Sequence, residues 1–426
     1  MAERLWVVRD GTTIADLERD GRIELRFRPE VVARSNGSAL LSVSLPVRAA
    51  PYAEAELLPF FAGLLPEGLV RERLARRFRL NVSDVFGFLR AIGRDSAGAL
   101  SIVEDGTDLE AERNEGIQWL SDAELAQRVA DLGTRPLADE PAAGIRISLA
   151  GVQDKMAVVI RGKGIGLPRG TTPSTHILKP ASVERRGNRG DKLAYPSLVA
   201  NEAFCTVLTA QANLRAASVE IRQIGGEPAL LIARYDRELT DAEVTRIHQE
   251  DLCQALGIAP DLKYEADGGP ALSAYLDILR RWSVDVLADQ QEMMDRVAFN
   301  YLIGNADAHA KNTSLLHGRE GIRLAPAYDL LSTLVYDHLP PHMAVAINGM
   351  YDGNALRAVH WRKEFSRLRL NQDLYGTRFA ALADRVTKAI PNAREQLQQW
   401  GAGNGVLDGI VSRITERARL LHDLRS

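Results

Sequence analysis

Cysteine is nearly missing from this chain: Cys205 and Cys253 are the only two in 426 residues, each alone in an apolar, helix-like stretch. Two isolated thiols build neither a disulfide framework nor a zinc site, so both read as reduced core residues, which suits a cytoplasmic location. No run approaches 18 uninterrupted apolar residues, so no membrane span is expected. The start Met1-Ala2-Glu3-Arg4-Leu5-Trp6 lacks a signal-peptide core. Surplus charge is missing too. A net charge of −3 excludes polyanion binding by bulk electrostatics. The local cluster Arg71, Arg73, Arg76, Arg77 and Arg79 reads as a solvated helix face, because Leu74, Ala75 and Phe78 recur within it at helical spacing. Internal repeats and low-complexity tracts are absent. What remains is ordinary globular composition, 46% hydrophobic and 26% charged, with length for two or three domains.

Apolar residues alternate over residues 1 to about 50. Leu5 and Val7, then Ile23, Leu25 and Phe27, are separated by Asp10-Gly11 and Asp20-Gly21, and Leu40, Val43 and Leu45 follow Asn36-Gly37. This predicts hairpins of a small antiparallel sheet. From Tyr52 the spacing turns helical: Leu57, Phe60, Phe61 and Leu64 up to Pro66, a second helix near 68–78, and a third from Ser83-Asp84. Residues 105–116 read as an exposed acidic loop. The Pro- and Gly-punctuated stretch 131–144 reads as a domain boundary. Strands are predicted at 156–160, 176–179, 220–223 and 230–233, with a helix after Pro196. Helices are predicted near 249–256, 271–282, 285–303, 375–389, 392–400 and 406–424.

The run Gly304-Asn305-Ala306-Asp307-Ala308-His309-Ala310-Lys311-Asn312, followed by Ala327-Tyr328-Asp329-Leu330, carries the chemistry. It sets an Asp, an Asn five positions on, and a second Asp after a hairpin-sized gap. Phosphoryl transfer from ATP needs one carboxylate to orient the attacking hydroxyl, and an amide oxygen and a second carboxylate to hold magnesium. Lys179 ends the apolar strand His176-Ile177-Leu178 and can neutralise phosphates; alone it would read as a lysine snorkelling to water. Glu202 is the sole acid on the apolar helix that follows and is a candidate to orient Lys179. Leu149 to Lys155 precedes a strand and can arch over phosphates, although it holds one glycine, Gly151. Gly162-Lys163-Gly164-Ile165-Gly166 joins two strands without opening a helix and reads as a hairpin loop. His309 and Lys311 are further candidate phosphate contacts. The order predicts an α+β, kinase-like bilobal fold: an N-terminal subdomain of antiparallel sheet and helices (1–135), a small β-rich ATP-binding lobe (136–237), and a helical catalytic lobe (238–426).

These stretches resemble the HipA family of toxin serine/threonine kinases. The resemblance rests on Ile147 to Lys155, Thr175 to Lys179, Asn201-Glu202, Arg234 to Arg237, Gln249 to Gln254, Gly304 to Asn312 and Ala327 to Asp329, and on Phe60 to Glu67 and Ile92 to Gly98. It implies ATP and Mg2+ as cofactors and Asp307 as catalytic base, with Asn312 and Asp329 as metal ligands. It implies a phosphate loop of Ala150, Gly151, Val152, Gln153, Asp154 and Lys155, and nucleotide contacts from Lys179, His309, Ala310, Lys311 and Tyr328. Ala233, Arg234 and Tyr235 would form the hinge beside adenine, although the family usually carries an acid where Ala233 stands. Ser148 would be an inactivating autophosphorylation site. The resemblance further implies a HipB-like helix-turn-helix antitoxin, operator DNA reached mainly through it, and an aminoacyl-tRNA synthetase, glutamyl-tRNA synthetase first, as substrate. Two other readings stay open at this point. One is a catalytically silent kinase-like body that reinforces an antitoxin on DNA; the other is a small-molecule or lipid kinase of related lobed fold.

Overall fold

Period-two alternation builds the N-terminal sheet. In the computed structural model, which describes residues 3–113, 116–132, 155–181, 197–240, 243–403 and 405–425, strands Glu3–Arg9, Thr12–Asp20 and Arg22–Phe27 form an antiparallel meander. Leu5 faces Leu17 and Leu17 faces Leu25, so one face is apolar throughout. Helices Glu54–Gly63 and Val85–Ile92 cover that face, burying Phe60, Phe61, Phe86 and Phe88. Asp84 caps the second by accepting from Gly87 N–H at 2.9 Å. Leu100–Glu104 closes the sheet against the first strand. The hairpin expected after Asn36-Gly37 does not form. Pro29–Ser35 is a helix, and the following segment is an irregular span whose Leu41, Val43 and Leu45 are buried. Its polar groups bond across to the rest of the chain: Val43 N–H donates to Glu250 Oε1 at 3.0 Å, and Ser44 Oγ to Gln254 O at 2.7 Å.

The second sheet has six antiparallel strands in the order Val219–Ile224, Glu227–Ala233, His176–Pro180, Met156–Arg161, Gly164–Pro168 and Ile117–Leu120. The last strand corrects the expected boundary at 135. Ile117–Leu120 pairs with Gly164–Pro168 and helix Asp122–Asp131 packs on the same sheet, so residues 117–132 belong to the β-rich lobe. Gly164 and Gly166, expected in a hairpin loop, lie inside a strand; the turn itself sits at Gly162, with φ +58°. The buried helix Leu198–Gln211 lies behind the sheet.

The helical lobe packs helices Leu272–Trp282, Val286–Ile303, Gln372–Gln399 and Leu407–His422 around Phe299, Trp361, Phe365 and Phe379. Trp361 and Phe365 each meet Phe379 at 5.3 Å. Two expectations fail here. His248–Asp251 is a strand, paired with Ser314–Gly318, before the short helix Leu252–Leu256 begins. Residues 372–399 form one helix that runs through Pro391 rather than two.

Candidate active site

The loop 304–312 begins where its helix is stopped. Gly304, at φ +71°, takes the left-handed cap that glycine accepts without strain. Its carbonyl accepts from Thr333 N–H at 3.0 Å, and Thr333 Oγ1 accepts from Ala306 N–H at 2.8 Å, so the loop is pinned to the segment just after Asp329. Asn305 Oδ1 accepts from Asp307 N–H at 3.0 Å. Asn312 Nδ2 donates to Asp307 O at 2.9 Å. The Asp307 side chain remains 44% exposed. Its Oδ1 accepts the hydroxyl of Tyr264, a residue the sequence did not single out.

Lys179 stands in a fully assembled triad. Its ammonium lies 2.7 Å from Glu202 Oε1 and 2.5 Å from Asp329 Oδ1. The strand turns Lys179 toward the helix bearing Glu202, and Asn201 on that helix accepts from Ser332 N–H and donates to Ser332 O, both at 2.8 Å, fixing the chain after Asp329. Burial alone would discharge the lysine. The charges of Asp329 and Glu202 outweigh it and hold Lys179 above the ordinary lysine range. Burial raises Glu202, whereas at Asp329 the two ammonium groups of Lys179 and Lys155 overcome burial and keep the carboxyl far below its usual range. At Lys155 burial and the charge of Lys179 outweigh the pull of Asp329 and Glu202 and bring the group down to about 8. His309 is buried, which lowers its ring, and the charges of both Asp307 and Asp329 act on it in the opposite sense. Its Nε2 lies 3.9 Å from Asp307 Oδ1.

Two predicted contacts turn elsewhere. The Lys311 ammonium faces Asp251 at 3.1 Å, Glu67 at 3.4 Å and Gly63 O at 3.2 Å, so it anchors the loop from behind instead of reaching phosphates. The Arg234 guanidinium is buried on Asp236 (2.7 Å), Ser174 (2.8 Å) and Ser96 O (3.1 Å). With Asp95, Arg237 and Arg246 it forms a sealed charge cluster joining residues 95–98 to the hinge. In the expected hinge segment, Ala233 N–H donates to Ser218 O and Arg234 N–H to Thr175 O. Tyr235 lies on Tyr328 with ring centroids 5.7 Å apart, and the Tyr328 hydroxyl donates to Lys311 O at 2.6 Å. Ala310 is buried in the main core. Ser148, Ala150, Gly151, Val152, Gln153 and Asp154 lie outside the described residues.

Residues 147–394 match the family model described as the HipA-like C-terminal domain, and residues 5–103 match the HipA N-terminal domain. The chain belongs to the HipA family. It is similar to the protein of Sinorhizobium fredii named "Putative kinase Y4mE", 34% identical over 417 residues and 97% of either chain. It is also similar to the serine/threonine-protein kinase toxin HipA of Shewanella oneidensis, 31% identical over 346 residues, 78% of this chain and 76% of that one. The solved complex of Shewanella oneidensis HipA with HipB and operator DNA matches with a TM-score of 0.82 and 26% identity over 99% of both chains. This chain is thus a kinase of the HipA toxin family, with the α+β bilobal fold its sequence predicted.

Proposed function

We propose that the chain transfers the γ-phosphoryl group of ATP to a serine or threonine hydroxyl, with Asp307 taking the proton of that hydroxyl. The observation that carries this is the assembled pairing of Lys179 with Glu202 and Asp329, together with a half-exposed Asp307 on the loop that is pinned to the segment after Asp329. Lys179 holds its charge and meets the phosphates. Asp307 orients the acceptor for in-line attack, and the leaving ADP departs on the lysine side. A divalent cation fits the donor set. The amide nitrogen of Asn312 is engaged by Asp307 O, and its carbonyl oxygen has no hydrogen bond among the described residues. Asp329 gives Oδ1 to Lys179, while its Oδ2 has no hydrogen bond among the described residues. These are the hard oxygens magnesium takes alongside phosphate oxygens and water. Bound there, magnesium would neutralise charge developing on the phosphoryl oxygens.

With Ala233 and Arg234 N–H engaged, a purine edge would be read by Ala233 O and Tyr235 N–H, contacts indifferent to the side chain at 233. The same reading extends to Lys155 and the preceding loop as a phosphate cradle, and to Ser148 as a self-inactivating phosphoacceptor. It also includes a HipB-like antitoxin that carries the kinase to operator DNA, a cytoplasmic location, and an aminoacyl-tRNA synthetase as target whose modification arrests growth. Support for the partner is the fold shared with a toxin solved on HipB and DNA; support for the target is family membership. The test is Asp307→Gln with radiolabelled ATP. Phosphate transfer falls by about 10²–10⁴-fold, while the melting temperature holds because the side chain is half exposed and the glutamine amide oxygen can still accept a hydrogen bond. Full activity in that variant removes the base assignment. Absence of label from wild type, on itself or on any lysate protein, leaves the silent co-repressor reading in its place.

A further inference from the structure

The catalytic loop is gripped from the N-terminal unit. Glu67 follows the apolar run Phe60–Pro66 and is nearly buried. Its carboxylate meets Lys263 Nζ at 2.9 Å and Lys311 Nζ at 3.4 Å. Lys311 lies between Asp307 and Asn312 on the loop itself. Lys263 precedes Tyr264, whose hydroxyl donates to Asp307 Oδ1. The two arms are tied together, since Ala310 N–H donates to Lys263 O at 3.3 Å. One carboxylate thus holds the loop directly and also the segment that touches the base.

That segment is stiff. Asp267 and Gly269 N–H both donate to Tyr264 O, at 3.1 and 2.9 Å. A Cβ on Gly269 would stand 2.1 Å from Leu262 O, so the turn closes only on glycine. Glu265 Oε2 accepts from Ala346 N–H at 2.7 Å. The Tyr264 ring meets His309 edge-on at 5.1 Å. Burial and the charge of Asp307 push the phenol well above its ordinary range, so it stays a proton donor. Asp307 Oδ2 has no hydrogen bond among the described residues.

Resting on the kinase reading above, we propose that Glu67 and Tyr264 are positioning residues: Tyr264 fixes the Asp307 carboxylate by holding Oδ1 and leaves Oδ2 for the acceptor hydroxyl, and Glu67 fixes both arms from the N-terminal unit. A phenol that instead blocked the acceptor's place would have the opposite kinetic sign.

Full-length Tyr264→Phe, Glu67→Gln and the double variant decide it. Transfer from radiolabelled Mg-ATP to casein gives kcat and KM, and hydrogen exchange by mass spectrometry reads residues 304–313. Each single change lowers kcat about tenfold, the scale of one charge-assisted hydrogen bond, with KM for ATP within about twofold. The double variant falls by less than the product of the two, as members of one network do. Exchange in the loop quickens about tenfold, while helix Gln372–Gln399 is unchanged. The proposal is overturned by Tyr264→Phe leaving kcat and loop exchange as they were, by a rise in kcat, or by effects that simply multiply. Loop loosening in the variants, with a wild type that transfers no phosphate, supports the brace and removes the kinase reading instead.

Discussion

Two of the buried clusters of opposite charges among the described residues are built from different cations. The hinge cluster sets Arg234, Arg237 and Arg246 against Asp95 and Asp236, and its guanidiniums also bond Ser174, Ser96 O, Gly98 O and Ser101. The other cluster sets Lys179 and Lys155 near Glu202 and Asp329, and the Asp329 side chain is still 34% exposed. Planar guanidiniums with many fixed donors suit a joint that must not move; a compact ammonium suits a charge that must be offered to a passing phosphate. A buried cluster serves structure when its donors are answered from within. It serves chemistry when one edge is left open.

Breaking the first cluster should unfold, and breaking the second should silence. The largest effect is expected from Asp236→Asn, which strands Arg234 and Arg237 in the interior and costs about 3–5 kcal/mol of stability in urea unfolding. Burial would raise the Asp236 carboxyl, but the charges of Arg234 and Arg237 hold it far below its usual range. The folded form therefore binds fewer protons than the unfolded chain. The stability difference between wild type and variant is complete above about pH 4, the unfolded value, and shrinks as pH falls toward the folded one. Unfolding curves at pH 7 and pH 3 check the sign. Next comes Lys179→Met, which lowers kcat by about 10²–10³-fold, the usual cost of removing one electrostatic donor. Its melting curve shifts less than that of Asp236→Asn, because Glu202, already raised by burial, can take up a proton. Calorimetry and transfer assays on the same preparation measure both. The smallest effect is Arg76→Ala. The exposed Arg76–Glu72 pair at 4.0 Å contributes under about 0.5 kcal/mol, so its unfolding midpoint stays within error.

The difference between these clusters was only half legible in the sequence. Lys179, Glu202, Asp307 and Asp329 announced themselves because each is a lone charge in an apolar stretch or a fixed spacing. Arg234 and Lys311 stand in the same motifs yet face away, since a motif fixes position along the chain and not the side to which a side chain turns. Tyr264 gave no signal: it sits in a polar stretch, and only the folded loop 260–269 brings it to Asp307. Glu67 had one weak signal, an acid closing an apolar run. The element misses have similar causes. Pro391 reads as a helix stop, but Val386, Ala389, Ile390, Ala393 and Leu397 are buried along one helix that packs on its neighbours, and tertiary contacts carry the backbone through. Strand Ile117–Leu120 is short, and its partner lies more than forty residues away by the pairing Leu120↔Ile165, so nothing local assigns it to the second sheet.

Asp329 carries one more implication. Its backbone stands at φ +56°, a conformation open to glycine, asparagine and aspartate but strained for branched side chains. Asparagine is therefore the replacement that discards the carboxylate charge while preserving the turn. A lineage that no longer needed the toxin's chemistry could disarm it there in one substitution, leaving a correctly shaped but harmless body free to occupy whatever binds the armed form.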